Sequence, residues 1–177
     1  MTDVPVYLAI SRPAASQRAH FAIFVPDFAS RHLDPSREGK GLLIHVVGAP
    51  MVGFQHEIAK GHSCAEAKRE CVKLGEVNCG GGGGGGEEER VAGGEEEEEE
   101  LLLLLLERIA LGIRPPGISG NFLGPVDGVK NRRCQEWTMD FLRVLVEKGI
   151  LGTEALEIAQ ERRDSPTHGI GLRRVPR

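Results

Sequence analysis

The chain has 177 residues, 40% of them hydrophobic and 27% charged, with a formal net charge of −4 at pH 7. That length holds one domain with a real hydrophobic core and is short for two. With no basic helix, no RNA-binding aromatic motif and no zinc-finger spacing, the composition gives no support to nucleic-acid binding.

In chain order, the first half reads as strands. The opening MTDVPVYLAISRP has neither a basic start nor a long apolar run, so no secretory signal is expected. Within it, residues Val4–Arg12 are β-branched and aromatic and stop at Pro13. Ala19–Val25 is a continuous apolar run closed by Pro26 and Asp27, the pattern of a strand covered on both faces. Phe28–Lys40 is polar and predicts a long loop, and Gly41–Val47 predicts a second buried strand. Weaker strand patterns cover Phe54–Lys60 and Val72–Val77. Consecutive strands with short connections point to an antiparallel sheet.

Residues 80–106 read GGGGGGGEEERVAGGEEEEEELLLLLL. The glycines leave the backbone unrestrained and bury nothing, and the glutamates repel one another. The tract is expected to be a disordered insert whose last part can join a helix over Glu95–Gly112. Removing its net −8 from the chain's −4 leaves the remainder at about +4, too mild to imply a nucleic-acid partner. Its leucine block, 101–106, is far shorter than the roughly 20 apolar residues of a membrane span.

Arg114–Gly128, rich in proline and glycine, predicts loop. Asn131 is the expected cap of an amphipathic helix from Arg132 to about Lys148, closed by Gly149. A shorter helix is expected over Thr153–Arg162, then a loose tail from Asp164. The organisation is thus a sheet-rich half (1–79), a disordered low-complexity insert (80–106), a helical half (107–163) and a flexible tail (164–177). The fold class is α+β, a small antiparallel sheet packed by helices.

Three residues draw attention as chemistry. Cys134 would be the third residue of the main helix, where the dipole and the adjacent Arg132 and Arg133 favour a thiolate. It shares a helix face with Trp137, Thr138, Phe141 and Leu145, so it looks inward, which equally suits a cysteine that fills space. His20 shares a strand face with Ala22 and Phe24, and His45 with Leu43 and Val47. A cysteine nucleophile needs a base and a group that orients the base, and these residues supply one candidate for each role. A rival metal constellation of His56, His62, Cys64, Cys71 and Cys79 lacks the spacing of a usual zinc hook, so no metal and no cofactor is expected. The glycine run lacks the Gly-Lys-Ser/Thr of a phosphate loop. Without export the four cysteines are expected as thiols, in the cytosol or the nucleus.

His20-Phe-Ala-Ile-Phe-Val, then Leu-Ile-His45-Val, then Cys134 opening an amphipathic helix, resembles the circularly permuted papain-like group. Its familiar members are the lecithin:retinol acyltransferases and the phospholipase/acyltransferases. The resemblance implies His20 as general base, His45 as its orienter and Cys134 as nucleophile, with backbone N–H groups at the helix start holding the oxyanion. Where those acyltransferases carry Asn-Cys-Glu-His, this chain reads Arg133-Cys134-Gln135-Glu136-Trp137. The expected function is a cysteine-dependent hydrolase or acyltransferase, acting on an ester, thioester or amide of a small-molecule or peptide acyl substrate. The alternative is a non-catalytic binding or scaffold module of the same fold. Geometry separates the two. A sulfur within about 4 Å of a His20 nitrogen favours the enzyme, and a sulfur sealed behind Trp137 and Phe141 favours the module.

Overall fold

The computed structural model describes residues 3–78 and 94–170. Five strands come first: β1 (Asp3–Ser11), β2 (His20–Pro26), β3 (Gly41–Ala49), β4 (Gly53–His62) and β5 (Glu70–Asn78). Three helices follow: α1 (Glu95–Leu111), α2 (Cys134–Glu147) and α3 (Glu154–Arg162). The architecture is α+β, as expected, with one sheet in the order β4-β3-β2-β1-β5 and every neighbouring pair antiparallel.

Strand alternation gives this sheet two unlike faces. Val4, Val6 and Leu8 of β1, Phe21, Ile23 and Val25 of β2, and Leu42, Ile44 and Val46 of β3 point to one side. There they bury Leu106 of α1, Trp137, Phe141 and Leu145 of α2, and Ala155 and Ala159 of α3. Ala9, Ala22, Phe24 and Leu43 point to the other side and form a smaller cluster with Cys64. β2 and β3 are thus apolar on both faces, which explains their unbroken hydrophobic runs. Because β4 and β5 lie at opposite edges, residues 63–69 must cross from one edge to the other. They do so on the face away from the helices, where Cys64 is fully buried. Gly41 opens β3 at a close approach, since a Cβ there would meet the Val25 carbonyl oxygen at 2.2 Å.

Three sequence expectations need correction. The low-complexity region does not run to residue 106 as a disordered segment, because residues 95–106 belong to α1. Leu102 and Leu106 are buried in the core while Leu101, one residue before, is 67% exposed. Core contact therefore supplies the register that a leucine homopolymer lacks. Residues 79–93, which hold the glycine run, lie outside the described residues.

The tail is not loose over its first residues either. The Asp164 carboxylate accepts from Arg12 and from the Ala19 N–H, both at 2.7 Å, and the Pro166 carbonyl accepts from the Val126 N–H at 2.8 Å. The rest of the expected tail, 171–177, lies outside the described residues.

Asn131, finally, does not cap α2. Its amide donates to the carbonyls of Asn121, Gly124 and Pro125 and accepts from Ser119, so it fastens the preceding loop instead. The helix starts three residues later, with Arg133 at the cap and the Glu136 carboxylate accepting the Arg133 N–H at 2.9 Å. Gly149, at φ 68°, stands just past the far end of α2, as expected.

Candidate functional site

The two histidines meet. His20 Nε2 lies 2.6 Å from His45 Nδ1, and His45 Nε2 lies 3.1 Å from Glu57 Oε1. Pairing of β3 with β4 sets His45 opposite Glu57, and the diagonal from β2 brings His20 alongside. If His45 donates its Nε2 proton to Glu57, its Nδ1 accepts from His20 Nε2–H, and the free lone pair of the chain sits on His20 Nδ1. This is a base with an orienter, and Glu57 is a member that sequence reasoning missed. Its signal was the alternation along β4, which sets Glu57 directly across from His45.

Burial, His45 and Arg69 together lower the His20 pKa to about 4, so the ring is neutral near pH 7. Burial and Arg69 also lower His45, against the raising effect of Glu57. Arg69 donates to Ser11 Oγ at 3.3 Å, and Ser11 pairs with His20 across β1 and β2.

Cys134 is elsewhere. It belongs to the cluster on the helix face, with Trp137 and Phe141, whereas His20 shares the parity of Ala22 and Phe24 on the opposite face. Its thiol points at the Ala19 carbonyl, 3.9 Å away. The structure brings His20 and His45 together and leaves Cys134 across the sheet from both.

The expected low thiol pKa is not met either. Burial pushes the Cys134 thiol up, and Glu136 adds to the rise. Hydrogen bonds from the backbone of Phe21 and Gln135, with the charge of Arg18, oppose it. Arg132 does not turn to the sulfur but pairs with Asp140, and Arg133 donates to the Phe122 carbonyl.

The start of α2 is instead a buried polar network. Gln135 donates to the Ala19 carbonyl at 2.8 Å and to Asp164 at 2.7 Å. Glu136, 3% exposed, accepts from Arg163 at 2.9 Å and Arg18 at 3.3 Å. The Cys-Gln-Glu-Trp stretch thus ties α2 to the start of β2 and to residues 163–164. The histidine on this face is His56, whose ring meets Trp137 edge-on at 5.7 Å and whose Nε2 lies 2.8 Å from the Ile113 carbonyl oxygen.

Two cavities stand out. One of about 190 Å³ adjoins the network, lined by Arg18, Glu136, Arg163 and Asp164. A more open cleft of about 550 Å³ lies between the loop after β2 and the crossing segment, lined by Asp27, Arg37, Lys40, Ser63 and Glu66. Neither is lined by Cys134, His20 or His45. No group of three or more histidine, cysteine or acidic side chains among the described residues is arranged to hold a metal, and no described helix is long and apolar enough to cross a membrane.

A family model described as "Family of unknown function (DUF6540)" matches residues 6–152. The chain belongs to this family. The DUF6540 match spans most of β1 and all of β2 to β5, α1 and α2, so His20, His45, Glu57, Cys64, Cys71 and Cys134 all fall inside it. Arg163 and Asp164, which complete the network at the start of α2, fall outside. No curated protein and no solved structure matches the chain.

Proposed function

We propose that the chain is a binding or scaffold module of permuted papain-like architecture in which the cysteine position serves packing. The fold assignment is supported by the order of its parts: a histidine opening β2, a second on β3, and a cysteine opening a later helix packed on the sheet. The non-catalytic reading is carried by one observation. Cys134 is 9% exposed among Trp137 and its neighbours on the helix face, while the His20–His45 pair occupies the other. A thiol that cannot pass its proton to a base, and whose pKa burial raises, is a poor nucleophile. The 550 Å³ cleft, lined by Arg37 and Lys40 as well as Asp27 and Glu66, suits a small polar ligand or peptide carrying both charges.

The hydrolase or acyltransferase reading keeps one favourable observation, the His20–His45–Glu57 chain built as a base and its orienters. It requires Cys134 to reach that base from across the sheet.

Native-state alkylation with iodoacetamide, followed by peptide mass spectrometry, separates the readings. Cys134 is expected to stay unlabelled in the native state, with no burst of p-nitrophenol from p-nitrophenyl acetate. Labelling of Cys134 that disappears in His20→Ala, accompanied by such a burst, would overturn the module reading.

A further inference from the structure

The face of the sheet away from the helices carries a second pair of sulfurs. Cys64, at the start of the crossing segment, is fully buried, and Cys71, in β5, packs against it over Ala9. Each thiol is the largest influence on the other's acidity, Cys71 raising Cys64 and Cys64 lowering Cys71. The Arg69 N–H returns to the Cys64 carbonyl at 2.9 Å, so the segment between them closes on itself and returns Cys71 to the cluster that holds Cys64. Ser36 Oγ accepts the Cys71 N–H at 3.2 Å.

We infer that Cys64 and Cys71 are a redox-active dithiol that a hydroperoxide converts to an intramolecular disulfide. The half-exposed Cys71 is the attacking group and Cys64 the resolving one. The Cys71 thiolate attacks the hydroperoxide, forming an S–O bond and breaking the O–O bond. An alcohol, or water from hydrogen peroxide, leaves with the proton released by the thiol. Cys64 sulfur then attacks Cys71 sulfur; the S–S bond forms, the S–O bond breaks, and water departs with the Cys64 proton. In total, two thiols and one hydroperoxide give one disulfide, one alcohol and one water.

The charged and titratable groups around Cys71 divide the work. The hydrogen bonds from Cys64 and Ser36 and the charge of Arg69 favour its thiolate, while burial and Asp34 oppose it. The bond would pin residues 64–71. Ala65 and Glu66 line the 550 Å³ cleft, so oxidation fixes one wall of it.

The test uses the full chain, treated with hydrogen peroxide or left reduced, then denatured in the presence of the alkylating agent and digested with trypsin, which cuts after Lys68 and Arg69 and so separates the two cysteines. Loss of alkylation at both positions is expected, with a cross-linked peptide pair that dithiothreitol dissolves. Dimedone should trap a sulfenic acid at position 71 in Cys64→Ser. Pairing of Cys71 with Cys79, cross-links only between molecules, or reduced Cys64 and Cys71 after peroxide treatment would overturn the inference. The wild-type cross-link decides the matter even if the variant fails to fold.

Discussion

On the helix-covered face of the sheet, β1, β2 and β3 present uninterrupted aliphatic and aromatic side chains to α1, α2 and α3, His56 of β4 packs against Trp137, and the Gln135–Glu136 network closes one end. On the opposite face the same strands present Ala9, Ala22, Phe24 and Leu43, which cluster with Cys64 of the crossing segment beside two histidines, a glutamate and Arg69. The helix face has the packing that makes a core. The other face has the titratable groups and, in Cys71, the half-exposed thiol. Stability and reactivity are thus divided by a sheet one residue thick, and Cys134 falls on the stability side.

The strongest way to probe that division is to remove packing from the helix face. Trp137 is fully buried between His56 and Phe141. Trp137→Ala should cost roughly 3–5 kcal/mol in urea unfolding. A loss below ~1 kcal/mol would mean the helix face is not the main core. Glu136→Gln comes next, at about 3 kcal/mol, because it leaves the Arg18 and Arg163 guanidinium groups without their buried counter-charge. A neutral result would show that solvent reaches the network.

The opposite face should reveal itself through pH. The folded His20 pKa, about 4, lies below its ordinary 6.5, so between these values the unfolded chain binds the proton that the folded chain refuses. The resulting stability is fully present above pH 6.5, is lost as pH falls towards 4, and changes no further below that, a total of up to ~3 kcal/mol. His20→Gln, which retains a donor for His45, should make this limb shallower. Chemical denaturation across the range measures it, and an unchanged limb would show that His20 is not held neutral by burial.

Much of the fold was legible because its signals are local. The apolar runs at Ala19–Val25 and Gly41–Val47, the turn residues between strands and the Gly149 stop each act on their own neighbourhood. The pairing of His20 with His45 was half visible, since each was assigned to the face it occupies. What could not be read is which face meets the helix. A strand apolar on both sides, with Phe21 and Ile23 one way and Ala22 and Phe24 the other, has no amphipathic signal to say where α2 lies. The roles of Gln135 and Glu136 were hidden for another reason. Their partners, Arg18, Arg163 and Asp164, are distant in sequence, and only the closed fold brings them near. Asn131 misled because an asparagine before a helix caps it or fastens the loop with the same side chain, and its three carbonyl partners decide which.

The smallest expected effect is also the most discriminating. Cys134→Ala removes one buried sulfur and should cost about 1 kcal/mol. His20→Gln has its own cost on the other face. Residues that share no partner and lie in separate clusters give additive changes to within ~0.3–0.5 kcal/mol, whereas a thiolate–imidazole pair in contact couples by more than that. The double variant should therefore be destabilised by the sum of the two single changes, with the pH limb of Cys134→Ala indistinguishable from that of the parent. Urea unfolding of the four proteins at pH 7 and at pH 5 measures the coupling directly. A coupling above ~1 kcal/mol, or one that appears only where His20 begins to titrate in the unfolded chain, would mean that Cys134 and His20 sense each other through the sheet. The separation of the two faces, and the non-catalytic reading built on it, would then fall.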